Sequence, residues 1–241
     1  MADQRVAVIT GAAKGIGRYV AKTFAYDNAA VVVVDIAPLD NVVKELAELG
    51  ATYFAFKGDV RSAGDVQIIM KETHQRFGRI DVLVNNAAIV THFPTAGATP
   101  WPRIRDMDES FWDRVIQTNL GGTFLCTKHV LPYMEDQASG HVINVYGGGR
   151  VTVTSCAYVV SKDAIRTFTR YVAEEERPYG VCVLAISPGA AIATEEASEE
   201  IRKRVPGPEF VGNRYVLASK VGMEMSGSLV TMKNGQLVVE S

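Results

Sequence analysis

The chain has 241 residues, 47% hydrophobic and 22% charged, with 25 basic against 27 acidic side chains. A net charge of −2 gives no electrostatic reason to expect nucleic acid or an anionic membrane as partner. No apolar run reaches the eighteen or so residues of a membrane span, and the opening MADQRVAVIT lacks a signal-peptide pattern. The widely spaced Cys126, Cys156 and Cys182 suggest neither a disulfide framework nor a zinc site, and no metal is expected. The expectation is a cytoplasmic chain folding as one domain over residues 1–241, its cysteines small buried hydrophobes.

The first predicted strand, Arg5–Ile9, runs through TGAAKGIG into a predicted helix over Ile16–Ala25. Gly11, Gly15 and Gly17 suit a tight turn whose backbone a pyrophosphate can approach, with the N–H groups of the helix start facing the phosphates. The second strand, Ala30–Asp35, is apolar until it ends in Asp35. An acid there can accept hydrogen bonds from both adenosine ribose hydroxyls and repels a 2′-phosphate. It points to NAD(H) over NADP(H); Lys14 argues the other way, but the acid would have to be neutralised first.

A helix over Asn41–Leu49, a strand at Thr52–Phe56, a helix over Ala63–Phe77 and a strand at Asp81–Val84 follow. The connection from Ile89 to Ser110 is long and stiffened by Pro94, Pro100 and Pro102 around Trp101, as a binding-site wall or a subunit contact would be. Next come a helix over Phe111–Met134, a strand at His141–Val145, three glycines at Gly147–Gly149, and a helix over Tyr158–Glu176. A strand at Val181–Ile186 leads to a second unusual connection, Pro188 to Pro208, carrying Glu195, Glu196, Glu199 and Glu200. A helix over Glu209–Leu217 and a strand at Leu229–Met232 complete the set. Continuously apolar strands alternating with helices predict an α/β fold, a doubly wound parallel sheet flanked by helices, with ligands beyond the carboxyl ends of the strands.

Tyr158-x-x-x-Lys162 places both side chains on one helix face, where an ammonium would lower the phenol's pKa towards the working range. Together with TGAAKGIG, Asp59-Val60, NNAA at Asn85–Ala88, Asn119 in TNLGGTF, YVVSK and Pro188-Gly189, this helix carries a resemblance over nearly the whole chain. The sequence resembles the short-chain dehydrogenase/reductase family. The resemblance implies a single Rossmann-type domain, NAD as cofactor, a small-molecule alcohol or carbonyl substrate, and a homotetramer or dimer built through the long helices.

It also implies roles. Gly11, Lys14, Gly15, Ile16, Gly17, Asp35, Ile36, Asp59, Val60, Asn86, Ala87, Pro188, Gly189 and Ile192 would surround the cofactor, with Asp59-Val60 beside the adenine. Lys162 would contact the nicotinamide ribose, Tyr158 would be the general acid/base, and Asn119 would hold a water for a proton relay. Tyr146, Gly147, His92 and Trp101 are candidates for contact with substrate.

One expected piece is missing. The family's strand before the catalytic helix ends in a serine pair whose second hydroxyl holds the substrate carbonyl; aligned on Asn144, this chain has Tyr146 and Gly147. Losing one donor to a developing oxyanion costs ~2.7–4 kcal/mol, or 10²–10³ in rate. Tyr146, Thr154 or Ser155 could substitute, although packing with a hydrogen-bonded tip explains Tyr146 as well. The lid after Pro188-Gly189 looks truncated and would leave the site wetter. The sequence therefore predicts an NAD(H)-dependent oxidoreductase, with a catalytically silent NAD(H)-binding scaffold or sensor as the alternative. An epimerase or dehydratase would need a C-terminal substrate region for which 241 residues leave no room.

Overall fold

The apolar runs form strands whose neighbouring residues face opposite sides of one sheet, and both sides are covered. The computed structural model describes residues 4–90, 102–147, 156–195 and 197–240. In chain order it comprises β1 (Val6–Thr10), α1 (Gly15–Tyr26), β2 (Ala30–Asp35), α2 (Asp40–Glu48), β3 (Tyr53–Lys57), α3 (Ala63–Phe77) and β4 (Val82–Asn85). There follow α4 (Glu109–Ile116), a π-helical turn over Gln117–Gly121, α5 (Gly122–Asp136), β5 (Gly140–Val145), α6 (Cys156–Glu176) and β6 (Val181–Ile186). The last elements are α7 (Glu199–Arg202), α8 (Arg214–Ala218), β7 (Leu229–Lys233) and β8 (Gln236–Val239).

The eight strands lie in the order β3-β2-β1-β4-β5-β6-β7-β8. All neighbours are parallel except β7 and β8. Ala7, Ile9, Val31 and Val33 pack with Val20, Phe24 and Tyr215 in one core, while Val6, Val8, Val32 and Val34 pack with Val66, Ile69 and Val130 in the other. Both residues of each alternating pair are buried, which is why these runs carry no polar alternation. Each such side chain contributes roughly 1.5–3 kcal/mol by leaving water.

The chain runs outward from β1 to β3, then returns to place β4 on the other side of β1. That reversal opens a crevice at the carboxyl ends of β1 and β4, the topological switch point. The glycine loop TGAAKGIG and the Asn86-Ala87 segment both leave the sheet there.

Two predicted elements need correction, and one strand was missed. The single helix expected over Phe111–Met134 is α4 and α5 joined by the π turn, whose extra residue lets the buried Asn119 side chain turn towards its neighbours. The helix expected over Glu209–Leu217 is a 3₁₀ turn at Pro208–Val211 and a short α8, separated by Gly212 at φ +51°. A final strand was not expected: β8 pairs antiparallel with β7 across the two-residue turn Asn234-Gly235, both at positive φ. An Asn-Gly pair between short apolar runs is a strong hairpin signal that could have revealed it. Cys126 and Cys182 are buried, but Cys156 is exposed at the start of α6, against the expectation for all three. No helix among the described residues is long and apolar enough to cross a membrane.

Candidate active site

The candidate residues lie at the carboxyl edge of the sheet, on the loops after β1, β4 and β6, at the ends of β2, β3 and β5, in the π turn and on α6. In the loop after β1, Gly11 and Gly15 have φ of +65° and +56°, which favour glycine. Gly17 begins the helix so close to the strand that a Cβ would lie 2.6 Å from the Asn86 amide nitrogen. The cradle is braced from behind: Asn86 Nδ2 donates to the carbonyls of Thr10 and Gly11, at 3.0 and 3.1 Å. The Thr10 hydroxyl accepts from the N–H groups of Asn86 and Ala87. Asn86 and Ala87 therefore support the glycine loop, and the Asn86 amide group is engaged there.

The helix start behaves as an anion site. Lys14, exposed at the N-cap, makes no side-chain cap, and the first turn of α1 carries no acid. The Gly15 N–H instead donates to Glu195 Oε2 at 2.9 Å, a carboxylate arriving from the loop after β6. A negatively charged group with two oxygens thus already fits the position, and the residues present suit a dinucleotide pyrophosphate.

Asp35 ends β2 with both oxygens engaged by backbone: Oδ2 accepts from the Ala13 N–H at 2.9 Å and Oδ1 from the Ala37 N–H at 3.0 Å. The carboxylate is held rigidly between glycine loop and strand, with lone pairs left for further donors. Ile36 beside it is 60% exposed, an apolar surface next to the acid. Val60 is buried against Gly122 at the start of α5. Asp59 is clasped by Arg61 through bonds of 2.6–3.0 Å, and that bond holds its carboxyl below the usual range. Its charge is answered within the chain.

Tyr158 and Lys162 lie on the buried face of α6, 5% and 3% exposed. Lys162 Nζ donates to the Val145 carbonyl at 2.8 Å and lies 5.9 Å from the Tyr158 ring centroid. Burial dominates both groups. It pushes the Tyr158 phenol up, with the nearby Tyr146 adding to the effect, and brings Lys162 down to about 8. This corrects the expectation that the ammonium makes the phenol acidic: loss of water favours the neutral form of each, and the lysine charge is directed at a carbonyl.

Gly147 follows β5 and faces the tyrosine. A Cβ there would collide with the Tyr158 hydroxyl and lie 3.3 Å from Cζ, so the phenol tip fills the space that a side chain at 147 would need. Tyr146 is turned elsewhere: its hydroxyl donates to Asp163 Oδ1 at 2.9 Å, and burial followed by that carboxylate pushes its pKa up to about 12. This is the packed, tip-bonded arrangement. His92 and Trp101, and the possible donors Thr154 and Ser155, lie outside the described residues.

Asn119 has no exposed surface, and its amide is fully used. Oδ1 accepts from the Ile89 N–H at 2.8 Å, and Nδ2 donates to Ser161 Oγ at 2.9 Å and the Ile89 carbonyl at 3.2 Å. The side chain ties the loop after β4 to α6, the helix of Tyr158. Sequence reasoning passed over a second tie. Arg214, buried in α8, donates to the carbonyls of Val211 (2.7 Å), Phe210 (2.9 Å) and Pro188, clamping the Pro188-Gly189 turn. A lone arginine in the apolar run FVGNRYVLA was the available signal. Ile192 is buried in the core beneath this loop.

Residues 5–204 match the family model described as short chain dehydrogenase. The chain is 32% identical to cis-4-hydroxycyclohexanecarboxylate dehydrogenase of Sinomonas cyclohexanicum, with 98% of each chain covered. It is 33% identical to the 3-oxoacyl-acyl-carrier-protein reductase of Staphylococcus epidermidis, covering 95% of this chain and 97% of that one. Among solved structures, a short chain dehydrogenase from Mycobacterium avium superposes with a TM-score of 0.81 at 27% identity, over 100% of this chain and 86% of the other.

Proposed function

The chain belongs to the short-chain dehydrogenase family, and from that premise we propose that it is an NAD(H)-dependent oxidoreductase interconverting a secondary alcohol and a ketone. The observation that carries the reading is the Tyr158–Lys162 pair, seated after β5 at the same sheet edge as the glycine cradle. Two relatives named for a ring-alcohol dehydrogenase and a 3-oxoacyl reductase support the alcohol/ketone class.

Gly11, Gly15 and Gly17 would hold the pyrophosphate of NAD(H), whose nicotinamide would supply the hydride chemistry at the carbonyl or carbinol carbon. Tyr158 handles the proton. In reduction its hydroxyl gives that proton to the carbonyl oxygen as the carbon accepts the hydride; in oxidation it takes the proton back. Because burial keeps the phenol neutral, Tyr158 is a ready donor at neutral pH, and alcohol oxidation should accelerate as pH rises. Lys162 holds its place through the Val145 carbonyl and would hold the nicotinamide ribose. Asn119 and Arg214 position α6 and the Pro188 turn rather than touch the reacting atoms. Asp35 supports NAD(H) over NADP(H). Phe124, Val160 and Tyr171, exposed at 46%, 44% and 71% on α5 and α6, suit burial in a homo-oligomer.

The test is turnover of purified protein on cyclic and open-chain ketones, 3-oxoacyl thioesters included, with NADH and NADPH. The reading expects turnover with NADH preferred. Tight NADH binding without turnover on any ketone or alcohol would favour the scaffold, for which the glycine at position 147 is the specific support.

A further inference from the structure

Helix α1 has twelve residues and needs an anion at its N-terminus that its own sequence does not provide. Lys14 gives no side-chain cap, and the first turn holds no acid. Glu195, 180 positions away, fills the gap, its Oε2 accepting from the Gly15 N–H at 2.9 Å. Its Oε1 lies 3.5 Å from Arg18 Nη1, and Arg18 is independently anchored by Glu45 through bonds of 2.9 and 2.7 Å. The contact is backed by packing. A Cβ on Gly15 would lie 2.8 Å from Thr194 Cγ2, so the segment after β6 rests directly on the glycine loop.

The segment is shaped to deliver the carboxylate. The Ala193 N–H donates to the Pro206 carbonyl at 2.8 Å, closing the base of the loop. The Ala197 N–H donates to the Thr194 carbonyl at 3.0 Å, fixing the residue before Glu195. Arg202 Nε donates to the Ala197 carbonyl at 2.9 Å, tying the turn to α7.

We propose that Glu195 is an internal competitor for the pyrophosphate site, a latch that holds the 190–207 lid down on the glycine loop until a dinucleotide displaces it. The proposal rests on the dinucleotide reading given above. One set of backbone N–H groups cannot serve two anions, so a phosphate arriving at Gly15 expels the carboxylate, and lid release is coupled to cofactor binding. Arg18 stays in place when Glu195 leaves, because Glu45 holds it.

The test uses Glu195→Gln and Glu195→Ala in the full-length protein, with Glu199→Gln, on the exposed α7 and paired with Lys203 at 3.0 Å, as control. Affinities for NADH, ADP and adenosine are measured by calorimetry. Removing the charge should tighten NADH and ADP roughly three- to thirtyfold, the range of an anion contact at a helix start, and leave adenosine unchanged. Unchanged or weaker ADP binding, or an equal gain for adenosine, overturns the latch. A second readout needs no ligand: trypsin should cut at Arg202–Arg204 several-fold faster in both Glu195 variants than in wild type or Glu199→Gln. Equal cutting rates overturn the proposal. If neither NADH nor ADP binds any form while cutting accelerates, the latch stands and the dinucleotide reading fails.

Discussion

Tyr158 shows how strongly one backbone position can govern a phenol. The spacing of Tyr158 and Lys162 was legible, because four residues make one helical turn and fix a shared face. Their charge states were not, because burial is a property of the assembled core and it governs both groups here. The space at Gly147 makes the same point. Gly147→Ala should cost about 1–3 kcal/mol through overpacking against the phenol, read as a lowered unfolding midpoint. Removing the hydroxyl with Tyr158→Phe should relieve most of that cost, a coupling of at least about 0.5 kcal/mol in the double-mutant cycle. Additive effects would mean that the two groups do not touch. Asp35→Asn keeps one acceptor for the Ala13 and Ala37 N–H groups but loses the charge, and the preference for NADH over NADPH should fall about tenfold or more. An unchanged ratio would move the discrimination to another residue, Lys14 being the first to examine.

The helix that was expected to run unbroken past Asn119 is interrupted there by a π turn. Periodicity over Phe111–Met134 is real, and α4 and α5 share it, but a π turn depends on where one buried amide finds its partners, and those lie on the loop after β4 and on α6. Asn119→Leu leaves the half-buried Ile89 N–H and the buried Ser161 hydroxyl without their amide partner, which should cost about 1–3 kcal/mol and lower turnover together with stability. Turnover lost at an unchanged unfolding midpoint would instead support the proton-relay role implied by the family resemblance. The glycine loop, by contrast, was readable residue by residue, because a positive φ and a close helix start leave few choices but glycine. The carboxylate on Gly15 was not, since nothing local connects residues 15 and 195.

Across the whole molecule, alternation of apolar runs and helices predicted the parallel sheet, while the strand order, the breaks in two helices and the antiparallel β8 at the far edge came only with the structure. Acid stability also belongs to this scale. The Arg18 bond to Glu45 and the Arg61 bond to Asp59 hold those carboxyls below their ordinary range. Groups depressed in the folded state contribute stability above their unfolded values, near 4 for both, and lose it as pH falls through the folded values. Denaturant midpoints should therefore hold steady from about pH 7 to 5 and fall below about pH 4, and Glu45→Gln should blunt that fall. A variant as acid-sensitive as wild type would remove the Arg18 pair from the account. The most direct test of the central claim is Tyr158→Phe, assayed for ketone reduction with NADH at neutral pH beside direct measurement of NADH affinity. The account predicts that the rate falls by 10²-fold or more while affinity changes less than about threefold. Undiminished turnover without the hydroxyl would contradict it.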